Sequence, residues 1–392
     1  MRHFLSSNAV KRKPSAIRAL QPLMKEGMIL LGAGLPNEST FPITKIVCSV
    51  GDKEIELNTK KALQYGPTQG FPEVLSSLRE IQDNIHHPKC SYDICVGNGS
   101  QTLITKAMEM FLDPSDTILV EQPCYSGILA FLNAYDCNKQ FIKTNHNGID
   151  INHLTSVLES WPSNKKKPKC LYTVPTGNNP TGSCTPFENK KSILELAVKH
   201  DFIILEDDPY YYLQYQDRLP SYFSLDTTGH VLRFESFSKI LSSGIRLGLV
   251  SGHPTFVNAI MLHIQCTELQ ATSLSQQLFY AWYSHVKFNG FLSHIGTIVA
   301  FYKAKRDCLV ANLRNNGIQC VVPDAGMFLW LKLPDHLENE AFMKLLLKEE
   351  IMVLSGHVFE DDKHIRLTFA TPSEKDMEVA SGVLGSHFKQ NS

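Results

Sequence analysis

Residues 236–248 read SFSKILSSGIRLG, which sets Lys239 among small hydroxyl side chains and one short loop before Arg246. A lysine amine forms a Schiff base with an aldehyde, and the Ser236 and Ser238 hydroxyls and the Arg246 guanidinium suit a nearby anionic group. Pyridoxal phosphate carries both an aldehyde and a phosphate. The stretch therefore predicts a pyridoxal phosphate site, with a solvated lysine in a chance S-x-S-K string as the alternative.

A second indication is the acidic end of an apolar run at residues 202–210, FIILEDDPY. A continuous apolar run is typical of a strand buried on both faces of a parallel sheet, and ligands bind at the carboxyl ends of such strands. There Asp207 would pair with the pyridine nitrogen of the cofactor and keep it protonated. The alternative is that Glu206, Asp207 and Asp208 only end the strand and cap the next element.

A third indication is the string CLYTVPTGNNPTG at residues 170–182, which reads as a strand followed by a Gly/Asn/Pro turn. Asn179 and Tyr210 would each donate a hydrogen bond to the phenolic oxygen of the cofactor and stabilise its ionised form. The dipeptides N-P and G-N also occur in ordinary turns. The length of the whole string favours the functional interpretation.

Two earlier strand ends complete the set of motifs. Residues 97–101, GNGSQ, open a predicted amphipathic helix, and the free backbone N–H groups of such a turn suit a phosphate. Gly99, Ser100 and Gln101 are therefore the candidate phosphate cradle. Tyr125 follows the next predicted strand and would stack on the cofactor ring. Taken singly, each feature also fits an ordinary loop.

The order of these motifs resembles that of the fold-type I, pyridoxal-phosphate-dependent class I/II aminotransferases, and the resemblance spans nearly the whole chain. Within that superfamily the chain is most similar to the branch of kynurenine/α-aminoadipate and fungal aromatic aminotransferases. The resemblance implies an α/β fold with a large domain, built on a mostly parallel seven-stranded sheet flanked by helices, and a smaller α+β C-terminal domain. The finer assignment depends on LGAGLPN at 31–37, LQYGP at 63–67, LYTVP at 171–175, EDDPYY at 206–211 and AGMFLW at 325–330.

The resemblance also implies a role for each matching residue. Lys239 is expected to hold the cofactor and shuttle a proton, and Arg366 to bind the substrate α-carboxylate with its planar guanidinium. Tyr65 is expected to cross a dimer interface to the neighbour's phosphate, which predicts a homodimer. The implied sites are catalytic Lys239, Asp207 and Tyr125; cofactor-binding Ser100, Gln101, Tyr125, Asn179, Asp207, Tyr210, Ser236, Ser238, Lys239, Arg246 and Tyr65; and substrate-binding Gly34, Asn179, Arg366 and Arg18.

The expected organisation has three parts in chain order. An N-terminal arm at 1–45, which belongs with the small domain and covers the active site, precedes a large cofactor-binding domain at 46–295 and a small domain at 296–392. A long helix near 287–315 is expected to join the two domains. Strands are predicted near 92–96, 117–121, 139–144, 169–174, 202–206, 231–235 and 246–251, and in the small domain at 328–333 and 365–369.

Composition excludes several classes of protein. The 392 residues are 43% hydrophobic and 20% charged, as in an ordinary globular protein, and the formal net charge of −1 gives no reason to expect nucleic acid or a membrane as a partner. The fifteen histidines have no metal-type spacing, so no metal is predicted. Ten cysteines without a C-x-x-C pair indicate free thiols in a reducing compartment.

The first 25 residues are basic, contain several serines and lack an acid, which is compatible with a mitochondrial transit peptide. Against this, residues 14–18, PSAIR, resemble the start of the mature domain in the similar branch. The cytoplasm and the mitochondrial matrix therefore both stay open as locations.

The predicted activity is ping-pong transfer of an amino group from kynurenine, 2-aminoadipate or another large or aromatic amino acid to 2-oxoglutarate or another 2-oxo acid. One alternative is a pyridoxal phosphate lyase, of the C–S lyase or cyclopropane-forming type, because the same scaffold supports elimination. The other is a non-catalytic pyridoxal-phosphate-sensing module of a transcription regulator. No helix-turn-helix pattern precedes the fold in this sequence, which disfavours that interpretation.

Overall fold

The computed structural model describes residues 1–16, 18, 23, 27–29, 31–32 and 34–389. The chain forms two compact units, each assembled from three segments. The predicted arm, large domain and small domain follow chain order instead, and that division stays a prediction. The first unit is Met1–Pro114, Phe202–Pro209 and Tyr222–Ser293, and the second is Ser115–Asp201, Tyr210–Ser221 and His294–Ser392.

Helices and strands alternate through most of the chain, as an α/β fold requires. The α-helices are α1 (Ser7–Lys11), α2 (Thr59–Ala62), α3 (Pro72–His86), α4 (Ser100–Phe111), α5 (Ser126–Ala134), α6 (Ile151–Glu159), α7 (Phe187–His200), α8 (Tyr222–Leu225), α9 (Pro254–Thr267), α10 (Ser273–Asn315), α11 (Asn339–Lys348) and α12 (Glu374–Phe388). The strands are β1 (Val47–Val50), β2 (Lys53–Glu56), β3 (Asp93–Gly97), β4 (Thr117–Gln122), β5 (Asn138–Asn145), β6 (Gly148–Ile149), β7 (Cys170–Thr173), β8 (Ile203–Asp207), β9 (Val231–Ser236), β10 (Gly248–Gly252), β11 (Phe328–Lys332), β12 (Leu354–Ser355) and β13 (His364–Thr368).

The first unit contains the strands β3, β10, β9 and β8 in that spatial order. Strands β8 and β9 run parallel, whereas β10 is antiparallel to both of its neighbours. Every residue of β8, β9 and β10 is buried, as expected for strands that are covered on both faces. Helices α4 and α9 pack against each other and against this set of strands.

The second unit contains the strands β7, β4, β5 and β6 in that order, with β4 parallel to both β7 and β5. It also holds a separate antiparallel sheet with the order β11, β13, β12. Leu329 and Leu331 on β11 and Ile365 and Leu367 on β13 point into a hydrophobic core. Because side chains alternate along a strand, Arg366 projects from the opposite face of this small sheet.

The structure confirms the predicted strands, and their ends lie within two residues of the predicted positions. Each unit has four of the strands described above, so there are eight where seven were predicted. The additional strand is β6, which has only two residues and is too short to leave a periodic pattern in the sequence. The helix predicted near 287–315 is the second part of α10, which is interrupted at Lys287, where φ is 57° and ψ is −178°. Among the described residues, no helix is both long and apolar enough to cross a membrane.

Candidate active site

Lys239 lies in a short 3-10 turn, Phe237–Lys239, that directly follows strand β9. The Ser236 hydroxyl oxygen accepts a hydrogen bond from the Ser238 backbone N–H at 3.3 Å and caps this turn. The buried Phe237 ring packs against the Phe279 ring, with the ring centroids 5.0 Å apart. The small hydroxyl residue and the apolar anchor therefore fix the turn, and the half-buried Lys239 ends it.

Arg246 connects this turn to the glycine-rich turn before α4. Its backbone is left-handed, with φ at 49°, and its Nη1 donates to the Ser238 hydroxyl oxygen at 3.4 Å. Its Nη2 donates to the backbone carbonyl of Asn98, also at 3.4 Å. Arg246 and Asn98 are 148 positions apart in the sequence, so one guanidinium joins the two motifs.

Two glycines allow the backbone to approach Arg246 and helix α4 closely. Gly99 has φ at 94°, and a Cβ added there would lie 3.0 Å from the Arg246 Cζ. A Cβ at Gly248 would lie 2.5 Å from the Ser100 backbone nitrogen, which is too close for any residue other than glycine. The N-terminus of α4 has no side-chain cap at Gly99. This combination of backbone N–H groups, hydroxyls and a guanidinium fits the phosphate of pyridoxal phosphate.

Asp207 ends strand β8 and is 4% exposed. Its neighbours Glu206 and Asp208 face the other side of the strand, where the Arg233 Nη1 lies 3.2 Å from the Glu206 Oε1 and 2.8 Å from the Asp208 Oδ2. Burial alone would lower the Arg233 pKa, but these carboxylates and Glu235 hold it well above its ordinary value. Glu206 and Asp208 thus form a buried ion cluster with Arg233, and the Glu206 carboxylate also accepts hydrogen bonds from the Tyr222 and Phe223 backbone N–H groups at the start of α8, at 2.7 and 3.1 Å.

The second unit brings Arg366 and Asn179 together. The Arg366 Nη1 donates to the Asn179 Oδ1 at 2.7 Å. The guanidinium carbon lies 4.1 Å from the centroid of the Phe328 ring and 5.2 Å from that of Phe359. A guanidinium has five N–H donors, so Asn179 leaves most of them available to a carboxylate. The predicted carboxylate-binding arginine thus lies between two aromatic rings, with one edge fixed by an amide.

Tyr125 and Tyr210 belong to the same group of residues in the second unit. Burial lowers the pKa of Arg366, and both phenols oppose this shift through their electrostatic interaction with the guanidinium. The Tyr210 ring meets the Phe328 ring edge-on at a centroid distance of 5.7 Å. The Tyr125 ring packs over Gly127, where an added Cβ would lie 2.5 Å from the ring carbon Cζ.

Sequence reasoning missed Glu121, which is buried at the end of β4. Its Oε2 accepts from the Asn178 Nδ2 at 2.8 Å and from the Val174 backbone N–H at 3.1 Å, and its Oε1 accepts from the Thr173 hydroxyl. Burial raises the pKa of Glu121 to about 7, against the effect of these hydrogen bonds. The available signal was an acid at the end of the apolar run TILVE, the same pattern that identified Asp207.

Three of the predicted residues lie in other parts of the first unit. The Arg18 Nη1 donates to the Gly66 carbonyl at 2.7 Å and to the Gln270 Oε1 at 3.4 Å, and burial lowers the Arg18 pKa. The guanidinium carbon is 5.9 Å from the centroid of the Tyr65 ring, and Tyr65 is 50% exposed. Gly34 lies in an exposed segment. The substrate roles of Arg18 and Gly34 and the interface role of Tyr65 stay predictions.

The chain is similar to known aminotransferases over nearly its whole length. The family described as Aminotransferase class I and II matches residues 26–384. The mitochondrial kynurenine/alpha-aminoadipate aminotransferase of Bos taurus is 36% identical and aligns over 99% of each chain. The aminotransferase tdiD of Emericella nidulans is also 36% identical, over 96% of this chain and 93% of that one.

Solved structures of aminotransferases share the architecture. The aminotransferase Aro8 from Candida albicans superposes with a TM-score of 0.90 at 26% identity, over 99% of this chain and 98% of that one. A kynurenine aminotransferase from Pyrococcus horikoshii, solved with PMP, KYN and KYA, has a TM-score of 0.79 at 31% identity, over 99% and 97% of the two chains.

Proposed function

Because the chain belongs to the class I and II aminotransferase family, we propose that it transfers the amino group of a large L-amino acid to a 2-oxo acid. It is a pyridoxal-phosphate-dependent aminotransferase. Kynurenine, 2-aminoadipate and aromatic amino acids are the proposed donors, and 2-oxoglutarate is the proposed acceptor. The names of the bovine relative and of the Pyrococcus horikoshii structure support this choice of donors.

The observation that carries the proposal is the arginine site of the second unit. Arg366 is half-buried between Phe328 and Phe359, and its 2.7 Å bond to Asn179 fixes one edge of the fork. Desolvation strengthens a charge-assisted bond, and a planar fork matches the two oxygens of a carboxylate. A substrate α-carboxylate is therefore the ligand that this site suits best.

The cofactor-binding residues are proposed from the geometry of each unit. Pyridoxal phosphate, when bound, supplies an aldehyde that accepts the amino group and a ring that withdraws electrons from the substrate Cα. Asp207 would hold a proton on the pyridine nitrogen, and Tyr125 would stack on the ring. Asn179 uses its oxygen for Arg366, so its amide N–H groups stay available to the phenolic oxygen, alongside Tyr210. The proposed phosphate-binding residues are Ser100, Gln101, Ser236, Ser238 and Arg246.

Lys239 is the proposed base. With pyridoxal phosphate bound, its Nζ would remove the Cα proton of the amino acid and later return a proton during amino-group transfer. Arg366 holds the α-carboxylate during both steps. In the second half of the cycle, Arg366 would bind the carboxylate of the acceptor oxo acid in the same way.

A product assay tests the proposal. Purified enzyme with L-kynurenine and 2-oxoglutarate should release glutamate in an amount equal to the kynurenine consumed. An Arg366→Lys variant, which keeps the charge but loses the fork, should need a higher amino-acid concentration for half-maximal rate. Release of ammonia or pyruvate without an oxo acid would instead identify a lyase and overturn the proposed reaction.

We also propose that the enzyme acts as a homodimer in which Tyr65 reaches the phosphate site of the neighbouring chain. Tyr65 is half-exposed beside Arg18, and this exposure leaves its hydroxyl accessible to another chain. Light scattering should give about 88 kDa, twice the 44.1 kDa of one chain. An active species at the mass of one chain would contradict the proposed dimer.

The cytoplasm and the mitochondrial matrix are both proposed locations. The bovine relative is named as mitochondrial, and the basic, acid-free start of this chain is compatible with import. Fluorescence microscopy of the chain with a C-terminal fluorescent tag, with and without residues 1–13, distinguishes the two. Loss of a mitochondrial signal on truncation would establish a targeting segment.

A further inference from the structure

The carboxyl group of Glu121 is enclosed by hydrogen-bond donors that carry no charge. Thr173, at the end of β7, donates its hydroxyl to one oxygen. The Val174 N–H and the Asn178 side-chain amide donate to the other oxygen, at 3.1 and 2.8 Å. Glu121 therefore connects the end of β4 to the turn after β7.

Asn178 is the centre of that turn. Its Nδ2 also donates to the Val174 carbonyl at 3.1 Å, while its Oδ1 accepts from the backbone N–H and the hydroxyl of Thr181 at 3.3 and 3.1 Å. Its backbone carbonyl accepts from Gly182 at 2.7 Å, which closes the turn. The side chain of Asn178 is thus held at both ends, and the next residue in the chain is Asn179.

Asn179 sets the orientation of Arg366 in its own plane. Phe328 and Phe359 flank the guanidinium, but contact with an aromatic face does not fix how a planar group is turned within that plane. The 2.7 Å bond from the Arg366 Nη1 to the Asn179 Oδ1 supplies that restraint. The direction in which the remaining N–H donors point therefore depends on where the turn holds Asn179.

We propose that Glu121 is a positioning residue for the substrate-carboxylate site, acting through Asn178 and the turn on Asn179 and Arg366. The inference rests on the proposed function in one respect, the assignment of Arg366 to the substrate carboxylate. Glu121 itself contacts neither substrate nor cofactor in this scheme. Its contribution is to hold the amide that orients the fork.

A pair of substitutions at position 121 separates this role from simple burial. Glu121→Gln keeps the shape and one acceptor oxygen for Val174 and Asn178, while its NH₂ group can donate to the Thr173 hydroxyl, which also accepts. Glu121→Leu has a similar volume but removes both acceptors. We expect Glu121→Leu to raise the KM for L-kynurenine about tenfold, with kcat changed less, and Glu121→Gln to restore most of the affinity.

Thr173→Val is a matched control, because it removes the hydroxyl partner of Glu121 and leaves Asn178 in place. It should lower the melting temperature while the KM stays within about twofold of that of the wild type. A crystal structure of Glu121→Leu adds a readout independent of activity. It should show the Arg366 Nη1 and Asn179 Oδ1 no longer at 2.7 Å, with the turn displaced.

The outcomes are distinguishable. An unchanged KM in a folded Glu121→Leu variant, with the Asn179–Arg366 bond intact, would overturn the positioning role and leave the proposed function standing. An unchanged KM in Arg366→Lys would instead overturn the carboxylate assignment itself. If Glu121→Leu does not fold, Asn178→Leu tests the next step of the same chain of bonds and should raise the KM in the same way. A normal KM in that variant would also reject the inference.

Discussion

Two buried glutamates at strand ends, one in each compact unit, have opposite electrostatic properties. Glu235 in the first unit lies 3.3 Å from the Arg233 guanidinium, which holds its pKa at about 2 even though burial alone would raise it. Glu121 in the second unit has only uncharged donors around it, and burial raises its pKa to about 7. Two equally buried glutamates therefore have pKa shifts in opposite directions, and the charge of the neighbouring group decides the direction.

The difference extends to the two groups of functional residues. The strand that carries Asp207 is supported by a buried cluster of opposite charges around Arg233. The turn that carries Asn179 is supported by hydrogen bonds between an ionisable group and neutral partners. We expect substitutions in the first unit to affect kcat, and its stability to depend on the buried charge pairs. We expect substitutions in the second unit to affect substrate affinity, and its stability to depend on pH.

The largest expected effect is at Lys239, in the first unit. Lys239→Ala should lower kcat more than about a hundredfold, because it removes the proposed general base. The melting temperature should change little, since the turn is fixed by Ser236 and Phe237. Turnover above about a hundredth of the wild-type rate would reject the role of Lys239.

Arg233→Met tests the charge cluster. It leaves Glu206, Asp208 and Glu235 buried without a cation and should lower the free energy of unfolding by about 3 to 5 kcal/mol, measured by urea denaturation. Arg79→Met is the matched control, because Arg79 pairs with Asp93 at 2.9 Å on the surface. That change should cost less than about 1 kcal/mol. Equal losses in the two variants would remove the distinction between buried and exposed pairs.

The pH dependence of stability should distinguish the two glutamates. The pKa of Glu121 is raised from 4.5 to about 7, so its protonated form stabilises the fold, and this contribution is lost as the pH rises through about 7. Glu121→Gln cannot ionise, and it should gain about 2 kcal/mol relative to the wild type between about pH 5 and about pH 8. The depressed pKa of Glu235 has the opposite sign, because its contribution is lost as the pH falls through about 2.

Chemical denaturation of both proteins across that pH range measures the difference. A constant gap between the wild type and Glu121→Gln would mean that Glu121 does not titrate in this range. The raised pKa of Glu121, and with it the contrast between the two glutamates, would then be wrong.

The smallest expected effect is at Gly127. Gly127→Ala places a Cβ against the Tyr125 ring and should displace the ring that is proposed to stack on the cofactor. Cofactor affinity, measured by spectral titration, should fall severalfold, while Gly382→Ala, in an open helical position, is the control. Equal affinities in the two variants would show that the Tyr125 ring adjusts without cost.

Distance along the chain limits what sequence reasoning can predict about contacts in both units. The turn around Lys239 and the loop to Arg246 lie within one short segment, so their joint chemistry is readable. The bond between Arg366 and Asn179 joins residues 187 positions apart, and only the family resemblance identified Arg366. The Asn178–Glu121 bond spans 57 positions and depends on strands β4 and β7 being neighbours.

Several predicted strands, such as 117–121, are largely apolar runs, but strands β1, β2, β6 and β12 were not predicted, and neither was the burial of charged residues within a strand. Strand β6 has only two residues, Gly148 and Ile149. Charged residues inside buried strands also escaped prediction, since Arg233 and Glu235 alternate with apolar residues on β9 and read as one solvated face. Their burial depends on the acids of β8, which a single strand cannot reveal.

The most direct test of the account is the absorbance spectrum of the purified enzyme with pyridoxal phosphate, before and after L-kynurenine and then 2-oxoglutarate. The account predicts that kynurenine replaces the band of the cofactor bound to Lys239 with that of pyridoxamine phosphate, and that 2-oxoglutarate restores the first band. A spectrum that kynurenine, 2-aminoadipate and aromatic amino acids all leave unchanged would contradict the proposed transamination. The absence of any cofactor band after pyridoxal phosphate is added would contradict the Lys239 site itself.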